Sequence, residues 1–239
     1  MRNLWALDRA GRFYAAFGML SLAAALIGFS TTYIVPMTRS AFVAPSVVHL
    51  HGALCLTWVL LFILQALLVG ARRTSVHIQL GIIGIPVALG ILLSGMATAL
   101  WATERDIGLG PTAFTTTIGT LTSLSIFVAF VLFAIFMRRR PDWHKRLMML
   151  ATVVVLWPAY FRFRHLMPWV PRPDIWLALI LADFPITVAA LRDKFLYGRV
   201  HPVWALFGTA LVTEQTLEIF MFETDLWRKM GEAVYRALA

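Results

Sequence analysis

The chain contains six histidines, and the company they keep makes them the residues best placed to do chemistry. His49 and His51 lie in VVHLHGALCLTWVLLFILQALLVG, His77 in RRTSVHIQL, His144 in RRPDWHKRL, His165 in YFRFRH and His201 in GRVHPVW. A neutral imidazole at the end of an apolar segment can ligate a haem iron or hold a proton. Placed by depth along the apolar segments, His49, His51 and His165 fall at one membrane face, and His77, His144 and His201 at the other. Two b-type haems stacked across a bilayer need one histidine pair near each face. The candidate pairs are His51 with His165, and His77 with His144 or His201. The competing reading is structural: histidines at helix ends satisfy the free donors and acceptors of a first turn and sit in the interface as amphipathic rings.

Other ionisable and polar groups fall inside apolar segments, where each charge costs about 2.5 to 3.5 kcal/mol even on a lenient insertion scale. His51, Trp58, Gln65 and Arg72 recur every seventh residue, which puts them on one helix face. Successive helical positions differ by about 100°, so His49 and His51 point in opposed directions, and His51 is the inward one. Arg162 and Arg164 crowd the end of the segment that carries His165; Asp183 stands midway along another, just before Pro185; Glu214 and Glu218 lie one turn apart with Gln215 beside them. Convergence of His51, His165, Glu214 and Glu218 would suit Zn or non-haem Fe. An Arg162 bridge to Glu214 or Glu218 competes with that and is the preferred reading. Asp183 beside a helix-breaking proline also fits the proton or ion site of a carrier. No lysine lies within an apolar segment, which excludes a retinal Schiff base, and the single Cys55 excludes an internal disulfide or a thiolate cage.

The elements that carry these residues are membrane helices. At 60% hydrophobic and 14% charged, the chain is too apolar for a soluble domain. The reading is an all-α, polytopic transmembrane helical bundle of about seven spans in a single domain, 1–239. The expected spans are 13–35, 48–69, 78–101, 115–137, 147–165, 175–191 and 203–222, the sixth being the shortest. The first apolar run is long enough to cross and lacks a small-x-small cleavage site, so it is expected to stay as an anchor. The doublet Arg72-Arg73 and the triplet Arg138 to Arg140 join Arg2, Arg9 and Arg12 on one side of this layout, giving N-in and C-out by the positive-inside rule. The net charge of +9 then attracts anionic lipid at the cytoplasmic face and does not point to nucleic acid. The setting implied is a bacterial inner (plasma) membrane.

RRTSVHIQL aligns without gaps on RRPDWHKRL, placing His77 and His144 at equal depth on the third and fifth spans. A parallel duplication of hairpins would do this; so would two ordinary positive-inside loops with Ser75 and Asp142 as helix N-caps. The third span carries Gly81, Gly84, Gly90 and Gly95, and the fourth opens with TTTIGTLTSLS, small residues that predict both helices inside the bundle.

The segments HGALCLTWVLLFILQ, VHIQLG, DWHKRLMMLAT and YGRVHPVWALFG resemble the recurring segments of an uncharacterised family of bacterial multi-pass membrane proteins, over about a quarter of the chain. The His-Gly at 51 and the His-x-x-Leu-Gly at 77 are also similar to segments of ascorbate-type transmembrane b cytochromes. That second resemblance implies a helical bundle with axial histidines, transferable to His51, His77 and His144. The function expected is b-type haem binding and membrane electron transfer, with His51, His165, His77 and His144 as cofactor ligands. The alternatives are a proton-coupled carrier centred on Asp183 and a non-catalytic membrane scaffold.

Overall fold

The computed structural model describes residues 8–239 and is helical throughout. Arg2, counted above among the cytoplasmic residues, lies outside the described part. Helix α1 (Arg9–Phe29) starts at Asp8, whose Oδ1 accepts the Gly11 N–H at 2.5 Å, and runs on through a π-turn, Ser30–Ile34, to Thr38. There follow α2 (Ser46–Gly70), α3 (Thr74–Gly81), α4 (Gly84–Asp106), α5 (Ala113–Phe136) and α6 (Pro141–Phe161), the last ending in a 3₁₀ turn, Arg162–His165. Helix α7 (Asp174–Tyr197) is wound as a π-helix as far as Leu181, and α8 likewise opens as a π-helix, Trp204–Gly208, before Thr209–Met221. A last amphipathic helix, α9 (Asp225–Leu238), closes the chain.

Among the described residues, six stretches are long and apolar enough to cross a membrane: Arg9–Thr38, Ser46–Gly70, Thr74–Leu109, Ala113–Phe136, Pro141–His165 and Asp174–Tyr197. This is the helical bundle of a multi-pass membrane protein. The sixth, expected to be the shortest, is 24 residues long. The segment expected as a seventh span, 203–222, is helical but is not one of the six, because Glu214, Gln215 and Glu218 dilute its apolar character. Within the third, the break at Ile82 and Ile83 has a local cause: Pro86 has no N–H for the carbonyl of Ile82, and its ring collides there.

The centre of the bundle is α6; of the third and fourth spans expected inside the bundle, α5 packs against α4, α6 and α9. Helix α6 packs on α1, α2, α5 and α7, and Leu147, Met149, Leu150, Ala151 and Thr152 are fully buried. Helix α4 leaves Leu89 and Leu93 exposed to the surroundings. Its glycines nevertheless do the job their size suggests: Gly90 receives Leu54, and Gly95 receives His51 and Leu124. The closest backbone approach to the centre is Gly28 on α1, where an added Cβ would strike the carbonyl of Ala159.

Candidate functional sites

His77 and His144 are each the fourth residue of their helices, α3 and α6, so the sequence echo is also a structural register. The expected N-caps are not: Arg73 and Arg140 occupy the cap positions without side-chain bonds, and Ser75 and Asp142 are already helical. The two imidazoles come together, ring centres 6.3 Å apart and planes at 84°. His144 Nδ1 lies 2.8 Å from the Ala134 carbonyl, which can only accept, so Nδ1 carries the proton and Nε2 presents its lone pair. His77 Nδ1 is buried without a partner. Gln65 Oε1 is buried and unpartnered too, and its Nε2 faces Gly81, one turn beyond His77, where an added Cβ would meet nothing closer than 3.5 Å. Three polar groups with unspent bonding capacity therefore gather where α2, α3 and α6 meet. His201 is not among them: its Nδ1 accepts the Val203 N–H at 3.2 Å, its Nε2 lies 3.1 Å from Asp142 Oδ2, and its ring stacks edge-on to Trp143.

The histidines expected at the other face behave differently. His51 faces α4, its Nδ1 3.1 Å from Ser94 Oγ and its Nε2 3.6 Å from Cys55 Sγ. Ser94 gives its one proton to the Gly90 carbonyl at 2.5 Å, so His51 donates from Nδ1 and accepts at Nε2. His49 points the other way, as the helical angle requires, with Nδ1 2.8 Å from the Tyr33 hydroxyl and the ring against Phe42. His165 is exposed in the 3₁₀ turn. Nothing brings it to His51, so the expected outer pair is not formed. Nor do His51, His165, Glu214 and Glu218 converge as a metal site, and no three such ligands do so among the described residues.

The acidic residues gather between α7 and α8. Asp183 is 6% exposed and Gln215 4%; with the amide oriented to satisfy both residues, the Gln215 nitrogen donates to the Asp183 carboxylate at 2.7 Å. Both oxygens of Glu214 are buried without partners, and Glu218 lies over Gly119 of α5, in space that any side chain there would fill. The expected Arg162 bridge to Glu214 or Glu218 is absent. Arg162 instead donates to the Pro158 carbonyl at 2.8 Å and stands over the Phe29 ring at 4.4 Å, because the end of α6 turns it toward α1 while the glutamates face α5 and α7.

The sequence reading missed the ion pair that is most deeply buried. Arg146 and Asp193, 3% and 2% exposed in their side chains, meet at 2.6 Å between α6 and α7. Trp204 Nε1 donates to the same Asp193 oxygen at 2.7 Å, and Arg146 also donates to the Asp142 carbonyl at 2.6 Å. Neither residue stands out in the sequence, because each lies just beyond the expected ends of an apolar run. The available signal was Arg146 one turn before Leu150 on a helix that begins at Pro141. A second missed bond, Trp58 Nε1 to Thr152 Oγ1 at 3.1 Å, ties the His51 stripe to α6.

Comparison with protein-family models, curated proteins and solved structures finds no match for this chain.

Proposed function

We propose that this is a bacterial inner-membrane protein that binds one b-type haem between His77 and His144 and carries electrons within the membrane. The observation behind the reading is the ring pair. The two imidazoles stand with ring centres 6.3 Å apart, and neutral histidines this close together would be able to hold a haem iron. The bond from His144 to the Ala134 carbonyl is the kind that orients a ligating imidazole and raises its basicity. His77 supplies a buried nitrogen that otherwise has no partner. Bound there, a haem iron would supply one-electron exchange between its ferrous and ferric states. The residues' own work is to hold it, to fix the tautomer and to offer Gln65 as a neutral donor or acceptor. The resemblance to ascorbate-type transmembrane b cytochromes agrees with this reading, limited to a single site, since the outer pair is not formed.

A second reading has its own observation. Three carboxylates lie along α7 and α8, Asp183 at the contact of the two and Glu214 and Glu218 on α8, with Glu218 over α5, and none has a Lys or Arg partner among the described residues. Like charges in a poorly solvated place persist together only by holding protons, which fits a proton-coupled carrier centred on Asp183. Gln215 would serve the Asp183 carboxylate in either state, as a donor through its nitrogen or an acceptor through its oxygen.

Seven crossings, N-in and C-out, are part of the proposal. Helix α8 starts beside Asp142 and Asp193, at the end of the bundle that carries the Arg138 to Arg140 triplet, through His201 and Trp204. Its far end reaches Gly119, near the opposite face, through Glu218. The triplet and the Arg72-Arg73 pair would then meet anionic lipid on the cytoplasmic side.

The deciding experiment is the absorption spectrum of purified protein, oxidised and dithionite-reduced. Haem binding predicts a reducible Soret and α band that both His77→Ala and His144→Ala abolish while His51→Ala leaves intact. A protein never carrying haem, or equal retention in all three variants, rejects the assignment. In that case, dissipation of an imposed pH gradient by liposomes containing the protein, lost in Asp183→Asn, would favour the carrier.

A further inference from the structure

We infer that the end of α6 holds the phosphate of an anionic lipid headgroup, with Arg162 and Arg164 as its ligands and His165 as an auxiliary donor. The inference starts from what these residues lack. Arg162 is partly withdrawn into the bundle end, yet neither it nor Arg164 has a carboxylate partner among the ion pairs of the described residues. Arg172, a few residues away, takes Asp174 at 2.6 Å. Each of the two free guanidiniums spends one donor on a backbone carbonyl, Arg162 on Pro158 and Arg164 on Phe161, of the five that a guanidinium carries. Their flat faces are held by rings, Arg162 over Phe29 at 4.4 Å and Arg164 over Phe161 at 3.9 Å. Stacking fixes the plane of each fork while leaving its edge open, which suits bidentate contact with phosphate oxygens.

The backbone brings Arg162 and His165 to one side, with Arg164 about a third of a turn away. Arg162–His165 is a 3₁₀ turn, in which side chains three apart eclipse. The turn is followed by exposed Leu166 and Trp169, an apolar and aromatic flank of the kind found at headgroup depth. Capping of the last carbonyls by the two arginines accounts for one donor each and for their tolerance at a helix C-terminus. It does not account for the others, which at headgroup depth are free to take a phosphate oxygen. A phosphate is the group that answers two forks and an imidazole at once. In the topology proposed above this is the outer leaflet; the phosphate chemistry does not depend on that, nor on the haem reading.

The test uses the full-length protein, delipidated in detergent and titrated with phosphatidylglycerol, bound lipid being counted by native mass spectrometry. Wild type should retain phosphatidylglycerol over phosphatidylcholine, and Arg162→Gln with Arg164→Gln should weaken that retention about tenfold. Arg172→Gln, whose arginine is already paired, should match wild type. Arg162→Lys keeps the charge without the fork and should fall between. Competition with inorganic pyrophosphate assigns the source: displacement of the lipid identifies the free anion as a ligand of the same site, and no displacement identifies the headgroup in its membrane setting. Equal retention by wild type and a double variant with an unchanged melting temperature overturns the site. Should the double variant unfold, Arg164→Gln alone, at the more exposed fork, carries the same comparison, and wild-type retention by it is equally fatal.

Discussion

Gln215 sits on the face of α8 that meets Asp183, and its amide is the only side-chain donor that Asp183 receives among the described residues. Leaving a buried polar group without its partner costs about 1 to 3 kcal/mol. Gln215→Leu is therefore expected to lower stability by about that amount in chemical denaturation, whereas Asp183→Asn with Gln215 intact keeps an acceptor and should cost less. Equal losses in the two variants would mean that the amide is not spent on Asp183. How far residues could be read from sequence alone follows from the same kind of geometry. The division of labour between His49 and His51 was legible, since it needs only the helical angle. The fate of Arg162 was not, because depth and charge follow from its place along the chain, whereas the neighbour that its turn faces does not.

Between elements, the buried Arg146 and Asp193 pair fastens α6 to α7, with Trp204 drawing the start of α8 onto the same carboxylate. Removing one ion of a buried pair strands the other and costs about 3 to 5 kcal/mol, while removing both costs less. A double-mutant cycle of Arg146→Met and Asp193→Leu should thus show strong coupling, and additive losses would exclude the pair as a fastening. The approach of α1 to α6 makes a separate prediction: Gly28→Val forces a side chain against the Ala159 backbone, and overpacking of this kind costs about 1 to 3 kcal/mol, read as a lowered melting temperature. Apolar runs made most helices legible, including α2 and α5 to within two residues of their ends. The identity of the central helix was not legible. Small residues mark where backbones can approach, whereas centrality depends on how many neighbours surround a helix, and for α6 the marker Gly28 lies on its partner.

Across the whole molecule, the proposed seventh crossing turns on α8, whose two glutamates make it less apolar than the six clear spans. Its contacts are what support the proposal. His201, at its start, is held by Asp142 near the beginning of α6, and Glu218, close to its end, reaches Gly119 near the beginning of α5. Helices α5 and α6 follow one another antiparallel, so their beginnings lie at opposite faces. Helix α9 then lies with the start of α5: Gly231 fits against the Phe114 carbonyl and Tyr235 stacks on the Phe114 ring at 5.6 Å. Glu214 and Glu218 are tolerated on this path because they face protein, toward Asp183 and Gly119, and the exposed faces of α8 and α9 carry Leu206, Leu217 and Phe220, then Leu226 and Met230. Reporter fusions after Gly70 and after Ala239 should accordingly report opposite sides of the membrane, with Gly70 cytoplasmic beside its arginine pair. If Ala239 also reports the cytoplasm, α8 does not cross, and the α9 contact with the start of α5 cannot form as described.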